Sequence, residues 1–342
     1  RYHPAAWRYD QFASPQGLNT LPEVLRGIPA TGRADAPVVA QLLAKVCRSD
    51  AGGLILEGKW EDPYPAPGTN PLTWVSSAEI LRQYASGTRP VQYGQCWVFG
   101  GLLTSLLRAS GIPARPLTTF SSAHSQDATP GQIDKYYYQG LHYLAPCSDP
   151  SCSSSAPAYY DGGWVYLPTA TYSTEDMIWN FHVWCDAWLE RGGRSDWQAL
   201  DGTYAIGPAA HADVRGTAQG LEHEVDFVRE EVDAPVMRWA LWQRPDGSWY
   251  TKAMKSTSLR PNPSLKEVGT KIATQQPSPW NSPAPATELD ITADYRTIPT
   301  GVALASTPPP ADWDAHLEVA SAIPLGTEIS YTVHLTNDTA TA

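Results

Sequence analysis

The chain has 342 residues, 42% of them hydrophobic, with 24 Lys and Arg against 35 Asp and Glu and a net charge of −11. That acidity, with no basic cluster, argues against a nucleic-acid partner, and no apolar run reaches the roughly 18 residues of a membrane-spanning helix. The length allows one large domain or two.

Five cysteines, Cys47, Cys96, Cys147, Cys152 and Cys185, are odd in number and scattered. They make no disulfide framework for a chain this size, and no second Cys or His pair stands at zinc-ligand spacing. Free thiols fit a reducing compartment. The chain opens on Arg1 with no initiator Met or hydrophobic leader, and so reads as a fragment that specifies neither a cytoplasmic nor an extracellular location.

Residues 1–35 show no sustained period and read as irregular. "APVVAQLLAKVC" (Ala36 to Cys47) is predicted as a helix, and "GGLILEGKW" (Gly52 to Trp60) as a strand ending on a tryptophan. A Pro-rich loop leads to "SSAEILRQYA" (Ser76 to Ala85), a helix with a Ser cap. After Cys96, Val98/Phe99, Leu102/Leu103 and Leu106/Leu107 repeat at the i, i+3, i+4 spacing of a core-facing helix. Gly111 and Pro113 stop it.

Ala114 to His124 reads as a strand, and Ser125 to Asp161 as a long loop in which "YYYQGLHYL" has strand character and Cys147 and Cys152 are close enough in sequence to pair. "GWVYLP" reads as a short edge strand. Met177 to Glu190 is an aromatic-rich strand, with "WQALDGT" (Trp197 to Thr203) as its neighbour and turn. Val236 to Lys255 holds two strands about a "PDG" turn, a hairpin. "QPSPWNSPAPA" is a loop, and Pro308 to Pro310 mark a linker. Beyond it "EISYTVHLTN" alternates Ile329, Tyr331, Val333 and Leu335 against polar residues, one strand of a β-sandwich left without a partner sheet. The expectation is an α+β core over residues 1–300, a linker over 301–312 and the start of an immunoglobulin-like sandwich over 313–342.

Cys96 falls at a helix N-terminus, where the macrodipole and unpaired N–H groups favour an anion. It reads as a nucleophile or as a small buried hydrophobe. A cysteine nucleophile needs a base, and the base an orienting acceptor. Of eight histidines, His182 sits in "WNFHVW" on an apolar strand, and Asp201 ends the neighbouring one. Each has a duller reading, a satisfied core histidine and a turn aspartate. Taken together, Cys, His and Asp in that order form a papain-like arrangement.

"YGQCWVF", "GIPAR", "SSAHSQD", "IWNFHVW", "WQALDGTY", the Gly207-Pro208 pair and "DAP" at Asp233 to Pro235 resemble, in order, the core of animal-type transglutaminases. "EGKWEDPY" and "TWVSSAEILRQY" resemble further elements upstream. The resemblance implies a papain-like fold with Cys96 as nucleophile, His182 as base and Asp201 as orienter, and Trp60 and Trp179 as walls of the acyl-transfer tunnel. It further implies that a protein-bound glutamine is the acyl donor, with a lysine or small primary amine as acceptor, or water in deamidation. The indole N–H of Trp60 and the backbone N–H of Cys96 would then hold the oxyanion.

Calcium is the cofactor the family implies, with thinned ligand sets here. The loop after "SAH" offers Asp127 alone, "CRSDAGG" offers Asp50, and "YRTIPTGVA" no carboxylate, whereas calcium takes six to eight oxygens. The rival readings are a papain-like protease or amidase and a catalytically silent scaffold of the same family.

Overall fold

Helix α1 (Ala36–Cys47) starts on Asp35, whose carboxylate accepts the Val38 N–H at 3.3 Å, and carries Pro37 in its first turn. Helix α2 (Ser77–Ala85) is capped by Ser76, whose hydroxyl accepts from Ala78 N at 3.1 Å. Helix α3 (Cys96–Ala109) begins on Cys96 itself, and Val98 to Leu107 are all buried. It is therefore a central helix enclosed on every side, where the sequence shows one core-facing stripe. Two glycines allow this. A Cβ on Gly100 would lie 2.9 Å from Val183 Cγ1, and one on Gly101 would lie 2.3 Å from Trp7 Cε2.

The computed structural model describes residues 7–10, 25, 30–51, 53–125, 131–139, 143–146, 160–161, 164–166, 171–173, 176–216, 223–243, 249–253, 267–276, 287–296, 313–318 and 332–337. The chain divides into two units, Arg1–Ile298 and Pro299–Ala342.

In the first unit, β1 (Leu56–Gly58) pairs in parallel with β2 (Val91–Gly94). It is shorter than the expected Gly52–Trp60 strand because Leu54 N and Ile55 N donate to Val46 O at the end of α1. The expected Ala114–His124 strand breaks into β3 (Ala114–Phe120) and β4 (Ala123–His124) at Ser121, which adopts φ 55°. Strands β5 (Ile133–Gln139), β6 (Tyr143–Pro146), β7 (Tyr160–Asp161), β8 (Trp164–Tyr166) and β9 (Thr171–Ser173) follow. "GWVYLP" supplies β8, which lies between β6 and β7 rather than at an edge. Of its partners, β6 overlaps the end of "YYYQGLHYL", where strand character was expected, and β7 comes from the stretch expected to be loop. Cys147 and Cys152 lie outside the described residues.

The expected Met177–Glu190 strand is likewise split. Strand β10 (Met177–Ile178) pairs with β4, and β11 (Phe181–Arg191) pairs with β3. At the junction Ser121 N donates to Asn180 O and Trp179 N to Ser122 O, so the bend at Ser121 carries one continuous run into two ladders.

Strand β12 (Arg194–Asp201) neighbours β11 as expected, and β13 (Ile206–Ala210) follows it. Helices α4 (His211–Val214) and α5 (His223–Asp233) lead to β14 (Val236–Gln243) and β15 (Trp249–Ala253), the expected hairpin. Strand β14 also pairs in parallel with β5. Strands β16 (Lys271–Gln275) and β17 (Glu288–Asp290), then α6 (Thr292–Tyr295), complete the unit.

The main sheet runs β13-β12-β11-β3-β16-β17, antiparallel throughout. Its two faces serve two cores. Cys185, Ala187, Leu189 and Leu200 pack with α1, α2 and α3. Leu117, Trp184, Ala199 and Ile272 pack with Val225, Val228 and Val232 of α5 and with Tyr295 of α6. The alternation along β11 is that of a strand buried on both sides.

In the second unit, β18 (Trp313–Glu318) pairs antiparallel with β19 (Thr332–Asn337). The "EISYTVHLTN" strand expected to stand unpaired therefore has a ladder partner over Thr332–Asn337, while Ile329 and Tyr331 lie outside the described residues.

Candidate active site

Cys96 occupies the first turn of α3 and is 7% exposed. Gln95 precedes it without making a side-chain cap, and instead donates from Nε2 to Lys59 O at 3.1 Å and to the Tyr64 hydroxyl at 2.8 Å. A missing cap costs a helix about 1 kcal/mol. Burial of each leucine among Leu102, Leu103, Leu106 and Leu107 contributes roughly 1.5–3 kcal/mol, so the helix holds without one. Val98 N and Phe99 N donate to Gln95 O, and a helix start without a side-chain cap favours an anion.

His182 lies near the start of β11 and Asp201 at the end of β12, with Nε2 2.7 Å from Asp201 Oδ2. The Cys96 side chain lies close enough to the imidazole to help raise it. With Nε2 given to Asp201, Nδ1 is the ring atom left for the thiol. Asp201 Oδ1 accepts the Thr203 N–H at 2.6 Å. Asp201 thus fixes its own turn and faces His182 at once, so the turn reading and the orienter reading describe one residue. Both side chains are buried. Three aromatic rings, Trp184, Tyr204 and Trp179, have centroids 5.5, 5.6 and 6.1 Å from the imidazole, which keeps water from it.

His182 is held well above the ordinary value of an imidazole. Burial opposes its charge, but Glu231, Asp201, the hydrogen bond to Asp201 and the Cys96 side chain outweigh that. Cys47 and Cys185 are the other two free cysteines among the described residues. Burial drives Cys47 well above the usual thiol range and pushes Cys185 up to about 12, and each donates to a backbone carbonyl, Leu43 O and Gly100 O.

The two expected tunnel tryptophans stand in different surroundings. Trp179 is half-buried against His182. Trp60 is 44% exposed and stacks on Phe99 of α3 at 6.4 Å. Over its ring, at 5.0 Å, lies the Arg48 guanidinium, which also donates to Thr203 O at 2.9 Å. Arg48 therefore ties Trp60 to the Asp201 turn, a link that reading the motifs did not disclose.

Residues 76–202 match the model of the transglutaminase-like superfamily. Protein-glutamine gamma-glutamyltransferase 4 of Mus musculus is 34% identical over 64% of this chain and 30% of its own length, and that of Homo sapiens 32% identical over 70% and 33%. The crystal structure of red sea bream transglutaminase superposes with a TM-score of 0.60 at 25% identity, covering 97% of this chain and 47% of that one. This chain carries an animal-type transglutaminase core. Its fold is the papain-like α+β fold of that superfamily. The chain spans about a third of the length of the curated relatives it matches.

Within this transglutaminase core neither Asp50 nor the one His and carboxylate cluster among the described residues suits calcium. Asp50 is taken up by Arg48, with contacts of 2.9 and 2.8 Å to its two oxygens. The group of acidic and histidine side chains that could hold an ion, His182, Asp201 and Glu231, is buried and offers a nitrogen among three donors, far short of calcium's oxygen shell. Asp127 lies outside the described residues. Glu230 accepts the N–H groups of Ser125 and Gly131, on either side of residues 126–130.

Proposed function

We propose that the chain is a protein-glutamine γ-glutamyltransferase acting through Cys96, His182 and Asp201. The Cys96 thiolate attacks the side-chain amide carbon of a protein-bound glutamine. The His182 imidazolium, oriented by Asp201, protonates the nitrogen that leaves as ammonia, and an acyl thioester remains on Cys96. A lysine ε-amine or other primary amine then attacks the thioester, neutral His182 takes its proton, and the thiolate leaves with an isopeptide bond formed. Water in place of the amine gives deamidation. The backbone N–H of Cys96 and the Trp60 indole are the proposed oxyanion donors, and Trp60 and Trp179 the walls that favour amine over water.

The observation that carries this reading is a thiol at an uncapped helix terminus, acting electrostatically on buried His182, which itself pairs with Asp201 at 2.7 Å. Calcium remains a proposed cofactor, with Asp127 as its one proposed ligand and a weak requirement expected. The proposed organisation is a core over residues 1–300, a linker over 301–312 and the start of a β-sandwich over 313–342.

Incorporation of a labelled primary amine into casein tests the reading, with Cys96→Ala as control. Incorporation that Cys96→Ala abolishes is expected. Release of peptide fragments without amine uptake would favour a protease, and an inert wild-type protein the scaffold reading.

A further inference from the structure

Glu231 on α5 is a buried carboxylate that no motif led to. Its side chain is 1% exposed, and its Oε1 stands 3.8 Å from His182 Nε2 with no hydrogen-bond partner among the described residues. Asp201 contacts the same ring nitrogen from β12, and the donor atoms of the three residues lie within 4.8 Å of one another. The α5 backbone is held at this spot by Ser122, whose hydroxyl donates to Glu231 O at 3.3 Å. A carboxyl oxygen kept from water and without a hydrogen bond is costly, and native proteins rarely retain one without a use for the group.

We propose that Glu231 is a second carboxylate partner of His182, a positioning residue that helps Asp201 keep the imidazolium charged until its proton passes to the leaving group. The inference rests on the transglutaminase reading for the proton's destination, while the pairing rests on geometry alone. The groups facing Glu231 are His182, Asp201, Glu230 on its own helix and Tyr204. His182 also faces Cys96 on α3 and His124 on β4. Burial first, then Asp201 and Glu230, push the Glu231 carboxyl up to about 8, against the pull of His182. A carboxyl raised in this way weakens the fold as pH climbs from its unfolded value toward the folded one. Glu231 therefore costs stability at neutral pH, the opposite of what a packing residue does.

The test is the titration of His182, followed by NMR of its Cε1–H in histidine-selectively labelled protein. Wild-type and Glu231→Gln chains are compared, each in the Cys96→Ala background so that the thiol does not titrate, and the signal is assigned by loss in His182→Asn. Glu231→Gln is expected to lower the His182 midpoint by about one to three pH units, the effect of removing an opposite charge at this distance, and to leave the melting temperature unchanged or raised. Glu231→Asp, whose carboxylate is withdrawn by one methylene, is expected to fall between, and it decides the question if the Gln variant does not fold. An unmoved midpoint overturns the proposal. With Cys96 restored, Glu231→Gln is expected to draw the alkaline limb of amine incorporation to lower pH. A shifted His182 midpoint in a protein that incorporates no amine would refute the transglutaminase reading and leave the pairing standing.

Discussion

Strand β11 carries two buried polar side chains four residues apart, His182 and Asp186, each in a His–Asp pair. His182 Nε2 stands 2.7 Å from Asp201, and His211 Nε2 stands 2.9 Å from Asp186. Nothing in the pair geometry tells them apart; the surroundings do. Asp186 is closed in by donors. Arg115 Nε donates to it at 3.0 Å, the Tyr295 hydroxyl donates to it, and Trp184 Nε1 donates to Tyr295 at 3.0 Å. One carboxylate meets a histidine, a guanidinium and a phenol, which joins β3, β11, α4 and α6. His182 instead faces two carboxyl groups and a thiol at a helix terminus, with no cationic side chain beside them and one carboxyl oxygen without a hydrogen-bond partner among the described residues. A carboxylate matched by several donors holds elements in place, whereas an unbalanced group is available for proton transfer.

Exchanging charge for a neutral amide in each pair sharpens this contrast. Asp201→Asn is expected to lower kcat/KM for amine incorporation by roughly three to four decades, as losing the orienting carboxylate does in a Ser-His-Asp triad, with thermal unfolding unchanged. Steady-state kinetics with calorimetry check both halves.

Asp186→Asn should do the reverse, costing about 3–5 kcal/mol of stability by removing the one buried charge that half-buried Arg115 and buried His211 share, with the turnover of the folded fraction preserved. Denaturant titration reads the loss. The pH dependence follows from sign. Burial raises the Asp186 carboxyl, but His211, Arg115 and Tyr295 together hold it below the usual carboxylate range. Its stabilisation is therefore complete above the unfolded value near about 4 and is lost as pH falls through the lower folded value. Wild-type protein is expected to lose stability more steeply than Asp186→Asn in that acid window.

The contrast explains what the sequence could disclose. Helix α1 and the start of α3 were legible because apolar spacing, caps and stop residues are local signals. Cys96, His182 and Asp201 were legible because their motifs occur together in order. Glu231 was hidden in "VREEVDAP", which reads as a charged run, although Val225, Val228 and Val232 mark a helix face and Glu231 lies three residues after Val228. The split of β3 from β4 was not legible either, because Ser121 takes a left-handed φ without being glycine. The central place of β8 depends on β6 and β7, which alternation within "GWVYLP" cannot name.

Smaller effects extend the comparison to the rim of the site. Trp60→Phe keeps the stack on Phe99 but removes the indole donor, and is expected to cost about 2–4 kcal/mol of transition-state stabilisation, the value of one oxyanion donor. Wild-type kinetics for Trp60→Phe would reduce Trp60 to packing. The smallest effect expected is that of calcium. Chelation should lower activity only modestly, since Asp50 is committed to Arg48, and a steep requirement at micromolar calcium would show that other ligands bind it.

The claim that the unbalanced site is the reactive one rests on a single sulfur. Cys47 and Cys185 are sealed in the core, with their thiols raised by burial. Incubation with a glutamine-bearing peptide in the absence of amine, followed by acid quench, digestion and mass mapping, locates the acyl thioester. A peptide adduct, less the mass of ammonia, is expected on the fragment containing Cys96. Amine incorporation accompanied by an adduct on another cysteine, or by none, would contradict it.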